Sequence, residues 1–200
     1  VRCPIPGCAW PSLPCPWHRP DNDKLDLARL VSTERQRKKA AITASARQAD
    51  KKKGKHSRTD GTEGSWENDY LAALAEIVFA ELVLDFPSDF MPHQGLAKLP
   101  DVETERHAFH VEQTVWTNPG LWVRQRIKAA MHRSKQNVFV LLHGTDDCMS
   151  LIGGLTRERA LDMIAQRRFT KHGTDPRFGE RWLIPGHALD AWPCGLTPPL

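Results

Sequence analysis

Between Asn68 and Phe86 the chain alternates apolar and polar positions at helical spacing, which predicts a helix of about five turns stopped by Pro87. Glu76 sits on the apolar stripe of that helix, with Asp69, Ala72, Ala73, Phe79, Ala80 and Val83 as its neighbours three, four and seven residues away. The pattern then changes period. Phe109–Trp116 alternates every second residue and predicts a strand, with Phe90–Gly95 before it as a loop or short strand. A turn at Asn118-Pro-Gly120 leads to a second strand at Leu121–Arg124. Val138–Leu142 is an unbroken run of β-formers, as expected of a central strand buried on both faces. Met149–Gly153 suggests an edge strand and Thr156–Gln166 a helix capped by Thr156. Arg181–Leu189 reads as a short strand and turn packed on the sheet. The order predicts an α/β or α+β domain, a small mixed sheet flanked by helices.

The first third of the chain reads differently. Leu25, Leu27, Leu30 and Val31 follow a possible cap at Asp21 or Asp23 in a helical pattern, and Gly61–Ser65 has linker composition. Residues 1–65 hold fourteen Lys/Arg against seven Asp/Glu, whereas residues 66–200 hold fourteen against seventeen. This basic part is poor in large apolar side chains, so the expectation is an extension with a polyanion as partner, or a linker whose charge only keeps it solvated. Arg35, Arg37, Lys38, Lys39, Lys51, Lys52, Lys53 and Lys55 are its candidate nucleic-acid contacts. Three parts are expected: 1–20, a basic helix and linker over 21–65, and an α/β domain over 66–200. No stretch approaches the ~20 apolar residues of a membrane span, and no signal-peptide pattern opens the chain, so a soluble cytoplasmic protein is expected.

Cys3, Cys8, Cys15 and His18 have the spacing C-x4-C-x6-C-x2-H. Zinc takes four such ligands in a tetrahedron, and its binding would stabilise a segment too short to bury a core. The open alternative is a disordered Pro/Cys tail. Cys148 and Cys194 stand apart as ordinary thiols.

Glu76, Asp101 and Glu112 stand on a predicted helix, turn and strand. Acids so separated are what a hard cation over a phosphodiester requires, with Asp101 and Glu112 holding Mg²⁺ and Glu76 ligating or orienting water. With a period of two, His110 shares a strand face with Glu112 and joins the candidate catalytic set. The plain alternatives are a Glu76 rotated to solvent and a Glu112 at an exposed strand edge. No P-loop, Gly-x-Gly-x-x-Gly or Gly-x-Ser-x-Gly sequence is present.

Two resemblances add to this reading. Cys3-Pro-Ile-Pro-Gly-Cys8 with Cys15-Pro-Trp-His-Arg19 resembles the zinc knuckle of many phage and actinobacterial nucleic-acid proteins, HNH nucleases among them, although no His-Asn-His arrangement follows. Ala75-Glu-Ile-Val-Phe-Ala80, Pro100-Asp101, Phe109-His-Val-Glu-Gln-Thr114, Leu121-Trp-Val-Arg124, Val138-Phe-Val-Leu-Leu142 and Leu151-Ile-Gly-Gly154 together resemble small phage-type PD-(D/E)XK nucleases over residues 66–192. That resemblance implies a restriction-endonuclease-like fold and Mg²⁺-dependent cleavage of DNA or RNA in a bacterial or phage-infected cell. The family's Glu-x-Lys falls either on His110-x-Glu112 or on Glu112-x-Thr114, and in both registers the lysine is missing. His110, Gln113, Lys98 or Arg124 would have to replace it. The expectation is a metal-dependent nucleic-acid phosphodiester hydrolase with a zinc-pinned basic arm; the alternative is a non-catalytic nucleic-acid-binding protein with a degenerate nuclease fold.

Overall fold

The computed structural model describes residues 29–52, 65–93, 100–115, 119–124, 134–167, 171–175 and 179–190. The Cys3, Cys8, Cys15 and His18 cluster, and Lys53 and Lys55 of the basic tract, lie outside the described residues.

The protein is a mixed α/β structure with two sheets. Strands β1 (Arg29–Val31), β2 (Val102–Glu103), β3 (His107–Thr114), β5 (Gln136–Gly144) and β6 (Cys148–Thr156) form a five-stranded mixed sheet in the order β1-β6-β5-β3-β2. Only β3 and β5 run parallel. Strands β4 (Gly120–Arg124), β7 (Lys171–Asp175) and β8 (Gly179–Pro185) form an antiparallel sheet in the order β4-β8-β7.

β5 lies between β3 and β6, and its side chains divide the interior. Val138, Val140 and Leu142 join one core with Phe109 and the helices, whereas Phe139 and Leu141 join a second core under the small sheet. An unbroken apolar run is the consequence of having no solvated face. β6, expected at an edge, is an inner strand instead, because β1 pairs along its outer side. Leu30 is buried there and Val31 exposed, so these two residues of the expected helical pattern stand in a strand, while Leu25 and Leu27 lie outside the described residues. A bulge interrupts the β5–β6 ladder between Leu141 and Leu142. Beside it Gly153 takes a φ of +152°, where a Cβ would lie 2.3 Å from the Asp190 carbonyl oxygen. Only glycine lets the C-terminal segment close on β6 through the Gly154–Asp190 bridge.

Three α-helices among the described residues complete the frame. Helix α2 (Trp66–Val78) starts where the Ser65 hydroxyl accepts the Asn68 N–H, and a π-helical turn over Phe79–Val83 ends it before Pro87. Helix α3 (Arg157–Ala165) is capped by Thr156, which accepts the Arg159 N–H at 3.3 Å. Helix α1 (Glu34–Lys52) belongs to the basic segment expected to be an extension, yet it packs along α2. Its inner stripe is Gln36, Ala40, Thr43 and Ala44, all buried. These small side chains let two helix backbones approach closely, so no run of large apolar residues is needed. No helix among the described residues is long and apolar enough to cross a membrane.

Candidate functional site

Where α1 crosses α2, a buried charge cluster forms. Arg47 Nη2 donates to both oxygens of Glu76, at 3.0 and 2.7 Å, and to the His93 carbonyl at 3.0 Å. Its Nε donates to the same carbonyl at 3.3 Å. The Glu76 side chain is 4 % exposed and that of Arg47 17 %. Helix rotation therefore does not carry Glu76 to solvent; a guanidinium is brought to it instead.

Asp101, just before β2, lies within electrostatic reach of both Glu76 and Arg47. Its backbone N–H donates to the Phe109 carbonyl, and its Oδ2 accepts the Val111 N–H at 2.7 Å. The carboxylate thus continues the β2–β3 ladder past the end of β2.

Burial dominates the titration of this pair. It pushes Glu76 up to about 8, with the neighbouring Asp101 charge adding to the rise and Arg47 opposing it. It pushes Asp101 up to about 6 against the pull of the Val111 N–H and Arg47. Burial works against the Arg47 charge as well, but Glu76, Asp101 and Asp69 together outweigh it and the guanidinium stays protonated. Two carboxyls beside one guanidinium are electrically neutral when they share one proton, and near neutral pH the cluster holds such a proton. The two values belong to the pair and not to either residue alone.

Glu112 does not join them. In the β3–β5 register Val111 stands beside Val140 on the helix side, and Glu112 beside Leu141 on the side of the small sheet. Its Oε2 accepts the Trp122 N–H of β4 at 3.0 Å, tying the two sheets together. His110 shares that second side, stacked on Phe139 with ring centroids 5.1 Å apart and its Nε2 3.2 Å from Asn137 Oδ1. Burial lowers its pKa, so it is a neutral packing group at pH 7. Of the four residues expected to be catalytic, Glu76 and Asp101 come together and His110 and Glu112 lie across the sheet. Gln113, two residues beyond Val111 on the same side of β3, donates its amide N–H to the Gly144 carbonyl at 2.6 Å.

A hard cation wants several oxygens free to converge on it. Here both Glu76 oxygens accept from Arg47, one Asp101 oxygen accepts a backbone N–H, and among the described residues no three His, Cys, Asp or Glu side chains form a metal-holding group. With those acceptor positions taken, ligation of a cation by Glu76 requires Arg47 to leave it.

The basic residues of α1 are largely engaged within the fold. Lys39 and Arg35 pair with Glu81 at 2.5 and 3.1 Å, and Lys51 pairs with Asp69 at 2.6 Å. Lys38 pairs with Glu34 one turn away and stays exposed, while Arg37 turns to Ser32 and Asp147. Arg47 itself was not among the expected site residues. The signal that locates it is a cation in step with Ala40, Thr43 and Ala44 on a helix otherwise charged all round.

No protein-family model, curated protein or solved structure matches the chain.

Proposed function

We propose that the protein binds nucleic acid without cleaving it. The observation that carries this reading is the Arg47 guanidinium on Glu76, which supplies from within the fold the positive charge that a metal would bring. The cations of residues 1–65 other than Arg35, Lys39, Arg47 and Lys51, which the fold engages, support a polyanion partner, and zinc on Cys3, Cys8, Cys15 and His18 belongs to the same proposal as a pin for the basic arm. Binding of this kind is mainly to phosphates, so its affinity falls steeply with salt.

A second reading, the metal-dependent hydrolase, has one observation in its favour: Glu76 and Asp101, far apart in sequence, meet and share raised pKa values. Incubating supercoiled plasmid with the protein and Mg²⁺ or Mn²⁺ separates the two. Retardation on a gel at low salt with the plasmid still supercoiled is the expected result. Nicking that disappears in Glu76→Gln and in Asp101→Asn would reverse the choice.

A further inference from the structure

Helix α1 is held against α2 and its π-helical turn in two unlike halves. The N-terminal half is anchored. Thr33 and Gln36 cap it reciprocally: Gln36 Oε1 accepts the Thr33 N–H at 2.8 Å, and Thr33 Oγ1 accepts the Gln36 N–H at 3.3 Å. The buried Glu81 carboxylate accepts from Arg35 at 3.1 Å, Gln36 at 2.9 Å and Lys39 at 2.5 Å. Lys39 also donates to the Ser88 carbonyl at 3.0 Å.

The C-terminal half, Thr43–Lys52, has little apolar surface to hold it down. Ala44 is its one fully buried apolar side chain among the described residues, and Ile42, the only large apolar residue of α1, is 59 % exposed. Thr43 is buried, and its hydroxyl has no hydrogen-bond partner among the described residues. Closing this half strips that hydroxyl of water and gives it no replacement. The remaining contacts are polar. Arg47 reaches Glu76 and the His93 carbonyl, Gln48 and Lys51 reach Asp69 at 2.6 Å each, and Ser45 Oγ accepts the Trp66 indole N–H at 3.2 Å. A buried ion pair gains in attraction about what its partners lose in hydration. Lifting the half-helix, unlike swinging out one side chain, returns water to both partners of each pair, so closure is favoured by little.

We infer that Thr43–Lys52 is a strap that opens from α2 on its own, hinged at Ile42, while both sheets and the N-terminal half of α1 stay folded. Beneath it lies Glu76, 4 % exposed and carrying Arg47 on both its oxygens. Opening hands Glu76 to water and moves Arg47 and Lys51 to the surface, so the strap controls access from solution to the acid pair. Segments with few buried apolar contacts are the ones that open below the free energy of global unfolding. Nucleic-acid binding does not require the strap, and either can fail without the other.

Native-state hydrogen exchange of the full chain, read by mass spectrometry in urea below the unfolding midpoint, tests the strap. The amides of Ala44–Lys51 are expected to be protected at least ~10-fold less than those of β3 and β5, with exchange nearly independent of urea, whereas Lys38–Ala41 follow the core. Gly153→Ala strains the sheet equally with the strap open or closed. It should lower protection in β5 and β6 roughly 5- to 100-fold and leave Ala44–Lys51 unchanged. Thr43→Val removes the stranded hydroxyl at nearly constant volume and should raise protection of Ala44–Lys51 roughly 5- to 100-fold. The urea dependence in wild type carries the comparison if Gly153→Ala does not fold. Protection of Ala44–Lys51 equal to that of β5, a parallel loss there in Gly153→Ala, or equal loosening of Lys38–Ala41 overturns the strap. So does a Thr43→Val variant in which Ala44–Lys51 exchange as in wild type.

Discussion

Replacing Arg47 by methionine removes the charge and keeps much of the side chain's length. In the wild type one guanidinium and one shared proton neutralise Glu76 and Asp101. Without the guanidinium, the buried pair reaches neutrality only by taking up a second proton. A carboxyl that ordinarily titrates near 4 must then be protonated at pH 7.5, across about 3.5 pH units, which costs about 5 kcal/mol at 1.36 kcal/mol per unit. Relaxation of the helices and entry of water lower that figure, and breaking buried ion pairs typically costs ~3–5 kcal/mol. At pH 5 the same uptake spans about one unit, so the loss shrinks to ~1–2 kcal/mol. The assay is urea unfolding of wild type, Arg47→Met, Glu76→Gln and the double variant at pH 5 and pH 7.5. Glu76→Gln in the Arg47→Met background removes one of the two acids and should recover most of the loss at pH 7.5. The reasoning is refuted if Arg47→Met destabilises by less than about 1 kcal/mol at pH 7.5, or equally at both pH values.

Two further outcomes follow from the same geometry. Because the folded pKa values of Glu76 and Asp101 are raised, the native state holds protons that the unfolded chain releases; their contribution is fully present below the ordinary carboxylate range and is lost as pH rises through about 6 and then about 8. Wild-type stability measured by urea midpoint should therefore fall between pH 5 and pH 8.5, and Glu76→Gln should flatten the upper part of that fall. Gly153→Ala forces a Cβ against the Asp190 carbonyl at a φ that L-residues avoid, and should cost roughly 1–3 kcal/mol in thermal or urea unfolding, whereas alanine at the open Gly173 should cost well under 1 kcal/mol.

The elements with strong periodicity were legible from sequence alone. The α2 helix, the β3, β4 and β5 strands and the Thr156 cap all follow from spacing and from side chains that satisfy their own backbone. β7 was not legible, since Lys171-His-Gly-Thr-Asp175 has no apolar alternation and forms a strand only because β8 offers a partner. The meeting of Glu76 and Asp101 could be anticipated, because a buried acid on a helix stripe demands a partner. The fate of Glu112 could not. Alternation fixes that Glu112 and His110 share a face, but which face meets the helices is decided by packing: Phe109 goes against Phe79 at 5.2 Å between rings, and Glu112 is carried to the other side.

Charge was the least transparent signal, for a physical reason. A helix with Lys and Arg on every side reads as a solvated arm when nothing tells which cations face a partner within the chain. α2 and the turn after it display Asp69, Glu76 and Glu81 along one line, and α1 answers with Lys51, Arg47, and Lys39 with Arg35 in the same order read backwards. That antiparallel match, over a seam of Ala40, Thr43 and Ala44, turns much of the basic segment into internal glue. Cations already committed to buried or half-buried acids contribute little attraction to a phosphate backbone, since releasing them would strand Glu76 and Glu81 away from water. A nucleic acid must then be held by positive charge elsewhere. Salt dependence measures this directly: charge-neutral variants of Arg35, Lys39 and Lys51 should lower stability while leaving the slope of log affinity against log salt nearly unchanged, and loss of a cation that touches phosphate should lower that slope by about one.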